Sequence, residues 1–229
     1  MLLLSKKKKN EGDYITEEDY YYLINTEQSL KYVIIIRLMA ELGLRVSEVI
    51  NLRWDDIDKV PSFLLGFSTK HTLHVRRKRG KEQDLPLPDE LFNLLQQYKS
   101  YSSIIVTNNT ATYLDKDDNR DDGNDNNDNN DNNDNNDNND NNRIFNITRK
   151  AVHKYLYNKN IKTVAGRRLH PHALRRFFGL RCLKQGMKIN TISAIYGHSN
   201  IETTLRYLQL QRLEALQEFS QRLSSTSST

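Results

Sequence analysis

Between Asp115 and Asn142 the chain is almost a polymer of Asp and Asn, and from Asp125 onward it repeats the triplet Asp-Asn-Asn without one apolar side chain. Such a segment cannot offset the backbone entropy of ordering, so disorder is the expectation for it. Any folded core must be assembled from the stretches on either side, across an insertion of roughly 28 residues. That is tolerable, because the entropy of closing a loop grows only logarithmically with its length. Asp and Asn oxygens also suit calcium, but calcium loops need a glycine turn and a final bidentate Glu, which the triplets lack.

The tract also masks the charge of everything else. The 229-residue chain has 34 Lys and Arg against 29 Asp and Glu, a net +5. The tract holds 11 of the Asp against only Lys116 and Arg120, so the remainder carries 32 basic and 18 acidic side chains, a balance of +14. A surplus of that size points to a polyanionic partner, because cations that neutralise phosphates release condensed counterions. Nucleic acid is the first expectation and a membrane surface the second.

The one cysteine, Cys182, has no partner for an internal disulfide, and no Cys/His pair stands at zinc-ligand spacing. The chain therefore reads as cytoplasmic. Met1 to Leu4 is too short for the apolar region of a signal peptide, and Lys6 to Lys9 follows at once, as either a phosphate-binding arm or a solubilising tail. No stretch approaches the roughly 18 apolar residues of a membrane span, so a soluble protein without a membrane partner is expected.

Thr16-Glu17-Glu18-Asp19 reads as a capped helix start running to Leu23, with acids where the helix dipole favours them. A second helix is expected from about Glu27 to Leu42, stopped by Gly43; its middle, Val33 to Ile36, is apolar on every side and so belongs at the centre of a core. Val46 to Leu52 fits a third helix, before a turn at Asp55 to Asp58. From Pro61 the pattern changes to strands: Ser62 to Ser68, Thr72 to Arg77 and Gln83 to Leu87, the last two joined by a basic tip, Lys78-Arg79-Gly80-Lys81. Helical pattern returns from Pro88 to Tyr98, Ile144 to Tyr157, His172 to Gln185, Ile189 to Tyr196 and after Asn200. The expected fold class is α+β, mostly helical with a small three-stranded antiparallel sheet.

Three separated segments carry chemistry. They are Gly43-Leu44-Arg45-Val46-Ser47-Glu48, His170-Pro171-His172-Ala173-Leu174-Arg175, and Gly197-His198-Ser199-Asn200 with Tyr207 nine residues after His198. Singly, each residue has an ordinary use: Arg45 as a helix-terminal cation, His172 and His198 as helix-start and turn residues, Tyr207 as one of twelve packing tyrosines. Together and in this order they resemble the tyrosine recombinase (phage integrase) family, over its catalytic domain from about Ile15 to Gln209.

The resemblance implies that Arg45, His172, Arg175 and His198 form the catalytic set and that Tyr207 is the nucleophile. The family's catalytic lysine sits on a hairpin tip, where Lys78 aligns best and Lys81 is the alternative. Arg76, Arg77, Arg79, Lys81 and Arg176 are then expected to contact DNA. The chemistry suits these residue types. Attack on a phosphodiester builds negative charge on nonbridging oxygens, and guanidinium forks are fixed cations that meet it. A tyrosine nucleophile stores the bond energy in a phosphotyrosine link, so no ATP, metal or other cofactor is called for.

Two departures stand out. Arg176 replaces the histidine that many members carry after the second arginine. Only residues 1–14, read as a basic arm, precede the catalytic domain, where the family usually has a core-binding domain. The resemblance implies a site-specific recombinase or integrase working on double-stranded DNA as a dimer to tetramer. The alternatives are an integrase-derived DNA-binding or regulatory protein, and a lone-subunit relaxing enzyme resembling type IB topoisomerases. Residues 210–229 are expected to add a helix and polar tail, with Leu210, Leu213, Leu216, Phe219 and Leu223 as its apolar stripe.

Overall fold

The computed structural model describes residues 12–107 and 142–208. The tetralysine, nearly all of the Asp/Asn tract, and the C-terminal stripe lie outside the described residues, as does the side chain of Arg79.

The helix α1, Glu17–Thr26, begins as its sequence dictates: the Thr16 side chain accepts from the Asp19 amide, and Glu17, Glu18 and Asp19 fill the first turn. The next helix, α2, Leu30–Glu41, buries Ile34, Ile35, Ile36, Leu38 and Met39 completely. It is the axle of the molecule, packed by α1, by the short helix α3 (Val46–Ile50), by α4 (Asp89–Thr107) and by α6 (Pro171–Lys184). Arg37, near its end, is held by Glu41 at 2.9 Å and by both carboxylate oxygens of Glu90 at 3.0 and 2.9 Å, which ties α2 to the start of α4.

The sheet has two strands among the described residues, β1 (His71–Arg76) and β2 (Glu82–Leu87), antiparallel with His71 opposite Leu87 and Arg76 opposite Glu82. The third strand expected at Ser62 to Ser68 is instead a 3-10 turn, Ser62–Leu65, closed by Gly66 in the left-handed region. Phe63 and Leu64 point outward there, 76% and 66% exposed, so the apolar run has no sheet face to cover. An isolated bridge, Ile57 to Leu73, pairs the preceding segment with β1, and Asp58 fastens it there: its amide donates to the Thr72 carbonyl at 3.0 Å and its carboxylate accepts from the Thr72 amide at 2.9 Å.

The chain re-enters beside the first half at Asn142, whose carbonyl accepts from the Trp54 amide, and the Ile144 amide donates to Leu52. Ile144 and Phe145 are buried outside any helix, and α5 starts only at Arg149 and runs to Asn158, later than the apolar pattern implies. At the other end, Gly12 to Tyr14 belong to the folded body and not to an arm. The Val164 and Ala165 amides donate to Tyr14 and Gly12, and the Asp13 carboxylate binds Arg167 and His170.

Two further helices, α7 (Ile189–Ile195) and α8 (Ile201–Leu208), pack on α6 through Phe178, Cys182, Ile192, Tyr196 and Leu208, a second and smaller apolar cluster. The clusters meet at Gly43, just beyond α2. Its φ is +64°, and a Cβ there would lie 2.5 Å from the Phe178 ring and 3.0 Å from that of Tyr196. Gly43→Ala therefore combines left-handed strain with overpacking, costing about 2–4 kcal/mol. A thermal melt should show a loss of roughly 5–12 °C; an unchanged melt would contradict the packing described.

Candidate active site

The site is built where α2 ends, β1 ends and the α7–α8 turn returns. Arg45 stands immediately before α3, and Glu48, three residues on, folds back to cap it: one carboxylate oxygen accepts the Arg45 amide at 2.8 Å, the other the Arg45 guanidinium at 2.7 Å. The same carboxylate takes Arg77 Nη1 at 2.7 Å and lies 3.6 Å from Arg175 Nη1. One side chain, 4% exposed, thus gathers three arginines from three parts of the chain.

Arg175 projects from the first turns of α6 into the interior. It donates to the Gly43 carbonyl and, at 3.0 Å, to the Tyr196 carbonyl, while its guanidinium stacks over the Tyr196 ring with Cζ 4.3 Å from the centroid. The Tyr196 hydroxyl completes the circuit by donating to the Arg175 carbonyl at 2.6 Å. Burial pulls Arg175 down to about 10, helped by Arg45 and resisted by Glu48, so it remains a cation at neutral pH. A guanidinium has five N–H donors, and two carbonyl acceptors leave donors over.

The turn after α7 places His198, half-buried, with Nδ1 2.7 Å from the Thr204 hydroxyl. Burial, then the charges of Arg175, Arg45 and Arg77, push its imidazole down to about 4, so it is neutral at pH 7. Tyr207, on α8, donates from its hydroxyl to the His172 carbonyl at 3.1 Å. Its ring is edge-on to Tyr196 with centroids 5.5 Å apart, and Arg176 lies over it at 5.1 Å. Burial raises the Tyr207 hydroxyl above its ordinary range, against the opposing pull of Arg175, Arg176 and Arg45. In this state it is a neutral phenol.

The structure therefore brings Arg45, Arg175, His198 and Tyr207 into one cluster, with His172 exposed at its edge. Lys78 and Lys81 are exposed at the hairpin tip, where the Arg77 amide donates to the Lys81 carbonyl at 2.6 Å. Arg77 and Arg176, expected to grip DNA, point inward instead, 6% and 8% exposed. Arg77 is claimed by Glu48, and Arg176 by the Tyr207 ring and by Asp13 at 4.0 Å. Arg76 remains 43% exposed but is paired with Asp56 at 2.7 and 2.8 Å, which holds its guanidinium above its usual range.

Sequence reasoning quoted Glu48 without giving it a task. The signal was its place three residues after Arg45, the spacing of an ion pair on one helix face. It also missed Tyr196 and Asp13. Burial opposes Asp13's charge, but hydrogen bonding to His170, with the charges of His170, Arg167 and Arg176, holds the carboxyl below its ordinary range.

The model of the phage integrase family matches residues 13–214, and the chain belongs to that family. It is 27% identical over 213 residues to tyrosine recombinase XerC of Staphylococcus saprophyticus, covering 90% of this chain and 60% of that protein. It is 26% identical over 202 residues to a tyrosine recombinase of Thermosipho africanus, covering 86% and 57%. A probable integrase/recombinase of Acholeplasma phage L2 is 27% identical over 197 residues, covering 86% and 55%. The chain thus spans under two thirds of the length of these relatives. In fold it is similar to the crystal structure of XerA recombinase, with a TM-score of 0.58 at 19% identity over 91% of this chain and 64% of that one. It is also similar to XerH site-specific recombinase bound to difH substrate, with a TM-score of 0.56 at 16% identity over 89% and 52%.

Two outcomes follow from the electrostatics. Glu48→Gln leaves the buried Arg77 without its counter-charge and should cost about 3–5 kcal/mol, read as a fall in melting temperature of roughly 10 °C; a loss within error of zero would contradict the hub. For His198, the unfolded imidazole titrates near 6.5 and the folded one near 4, so the unfolded chain binds the extra proton between those values. Stability contributed here is complete above about 6.5 and declines as pH falls toward 4. Melting temperatures of wild type and His198→Gln should diverge in slope through that window, the wild type falling more steeply.

Proposed function

We propose that this chain is the catalytic part of a site-specific recombinase that cuts and rejoins double-stranded DNA through a 3′-phosphotyrosyl link to Tyr207. The observation that carries the proposal is the convergence of Arg45, Arg175, His198 and Tyr207 from segments far apart in the chain, with Arg45 and Arg175 beside the buried carboxylate of Glu48 and the His198 and Tyr207 rings 6.2 Å apart.

In the proposed reaction Arg45 and Arg175 hold the nonbridging oxygens of the scissile phosphate and meet the charge that builds on them. The Tyr207 oxygen attacks phosphorus as its proton passes to the His172 imidazole. The bond to the 5′ oxygen breaks, its electron pair stays on that oxygen, and Lys78 supplies the proton that makes a free 5′ hydroxyl. His198 is neutral; with Nδ1 accepting from Thr204, its Nε2–H donates to a nonbridging oxygen. Attack by a 5′ hydroxyl on the phosphotyrosine reverses each step and reseals the strand. Burial holds the proton on the Tyr207 oxygen, so the attack needs a base, here His172, to take that proton as the bond to phosphorus forms.

Arg76, Arg79 and Lys81 would grip the duplex backbone beside the tip. Family resemblance makes a dimer to tetramer on paired sites the expected working form.

The test is incubation with nicked duplexes carrying candidate attachment sites, followed by a denaturing gel. Wild type should form a covalent adduct, and Tyr207→Phe none. Arg45→Ala and Arg175→Lys should lower cleavage by about 10²–10³-fold while binding changes far less. Specific binding without adduct on any substrate would instead support an integrase-derived DNA-binding protein.

A further inference from the structure

Arg77 stands last before the basic tip, yet its side chain turns away from solvent and from any DNA lying along the hairpin. Its guanidinium makes three bonds in three directions. Nη1 donates to Glu48 at 2.7 Å; Nη2 donates to the Ile195 carbonyl at 2.6 Å and to the Gln83 side chain at 3.1 Å. Gln83, on β2, reaches the neighbouring Ala194 carbonyl through its own Nε2 at 3.2 Å. Both strands of the hairpin are thereby bolted to the C-terminal end of α7.

The route is specific. Gly197 lies beneath the Arg77 stem, and a Cβ there would come within 3.3 Å of Arg77 Cδ. The turn that presents His198 thus leaves room for this arginine to cross it. Burial lowers Arg77 from its usual range, with Glu48 opposing that and Arg45 adding to it. A cation in so enclosed a place costs stability unless its acceptors are all in position. Packing alone would be served by an apolar side chain; a planar fork joining a carboxylate, a carbonyl and an amide oxygen serves geometry.

We infer that Arg77 is a positioning residue that sets where Lys78 sits over the scissile phosphate, by fixing the base of the hairpin tip to Glu48 and to the end of α7. This rests on the proposal that Lys78 protonates the 5′ leaving oxygen. Arg77 itself touches neither DNA nor the reacting atoms. It holds in register the peptide from which Lys78 springs, and it does so from the same carboxylate that holds Arg45 and borders Arg175. The acid and the oxyanion-binding cations then share one anchor.

The experiment compares cleavage of two nicked duplexes that differ in one atom, one with the natural 5′ oxygen at the scissile phosphate and one with a bridging 5′ sulfur. Sulfur leaves as a thiolate and takes no proton, so a defect in delivering that proton vanishes on the sulfur substrate. Lys78→Ala should lose about 10²–10⁴-fold on oxygen and recover most of it on sulfur. Arg77→Gln should lose about 10–100-fold on oxygen, as a misplaced catalytic group does, and also recover on sulfur. Arg77→Lys should behave in the same way, since an ammonium cannot span the three acceptors. The oxygen-to-sulfur ratio is taken within one preparation, so any unfolded fraction cancels.

Recovery of Lys78→Ala with an equal loss of Arg77→Gln on both substrates would overturn the role given to Arg77. So would Arg77→Gln cleaving the oxygen substrate at the wild-type rate. Failure of Lys78→Ala to recover would overturn the assignment of Lys78 itself, and Arg77's role with it.

Discussion

The carboxylate of Glu48 is the constraint on which the site depends. Guanidinium groups repel one another, and gathering those of Arg45, Arg77 and Arg175 in a half-closed space is unfavourable without a fixed counter-charge. Glu48 supplies it from the first turn of α3, where its backbone position is locked by capping the Arg45 amide. A single negative charge stabilises the cluster without cancelling it. The surplus of positive charge sets the states of the neighbours: His198 is kept neutral, and the arginines pull against the burial that holds the Tyr207 proton.

The apolar frame places that charge. Ile34 to Met39 make α2 a rigid axle, and Gly43 ends it with a left-handed turn that presents its carbonyl to Arg175. Tyr196 then acts on both sides of the boundary. Its ring packs against Phe178 in the smaller cluster, its carbonyl accepts from Arg175, and its hydroxyl returns to the Arg175 backbone. Gly179 permits this approach, since a Cβ there would lie 2.4 Å from the Tyr196 hydroxyl. The site is thus welded to the core through one arginine and one tyrosine, and charge and packing fail or hold together.

Much of this was legible in the sequence. Thr16 and Gly43 mark helix ends by local chemistry, the continuous apolar run Val33 to Ile36 marks a buried helix, and the order of Arg45, His172, Arg175, His198 and Tyr207 marks the family. What was not legible depends on contacts between distant residues. Ser62 to Ser68 has the composition of a strand, but among the described residues no strand pairs with it, and Gly66 turns it aside. Arg77 and Arg76 are adjacent cations in sequence; only the fold shows that one faces Asp56 at the surface and the other Glu48 inside. Asp13 gave no local signal, because its partners lie more than 150 residues away in the chain.

The most direct test of the account is the structure of the protein with a nicked duplex and vanadate, which adopts the five-coordinate geometry of the phosphorus under attack. The account predicts vanadate bonded to the Tyr207 oxygen at one apex, Lys78 beside the opposite apical oxygen, and the equatorial oxygens within hydrogen-bond reach of Arg45, Arg175 and His198, with Glu48 still holding Arg77. Vanadate bound away from Tyr207, or bound there with Arg45 and Arg175 turned elsewhere, would contradict it.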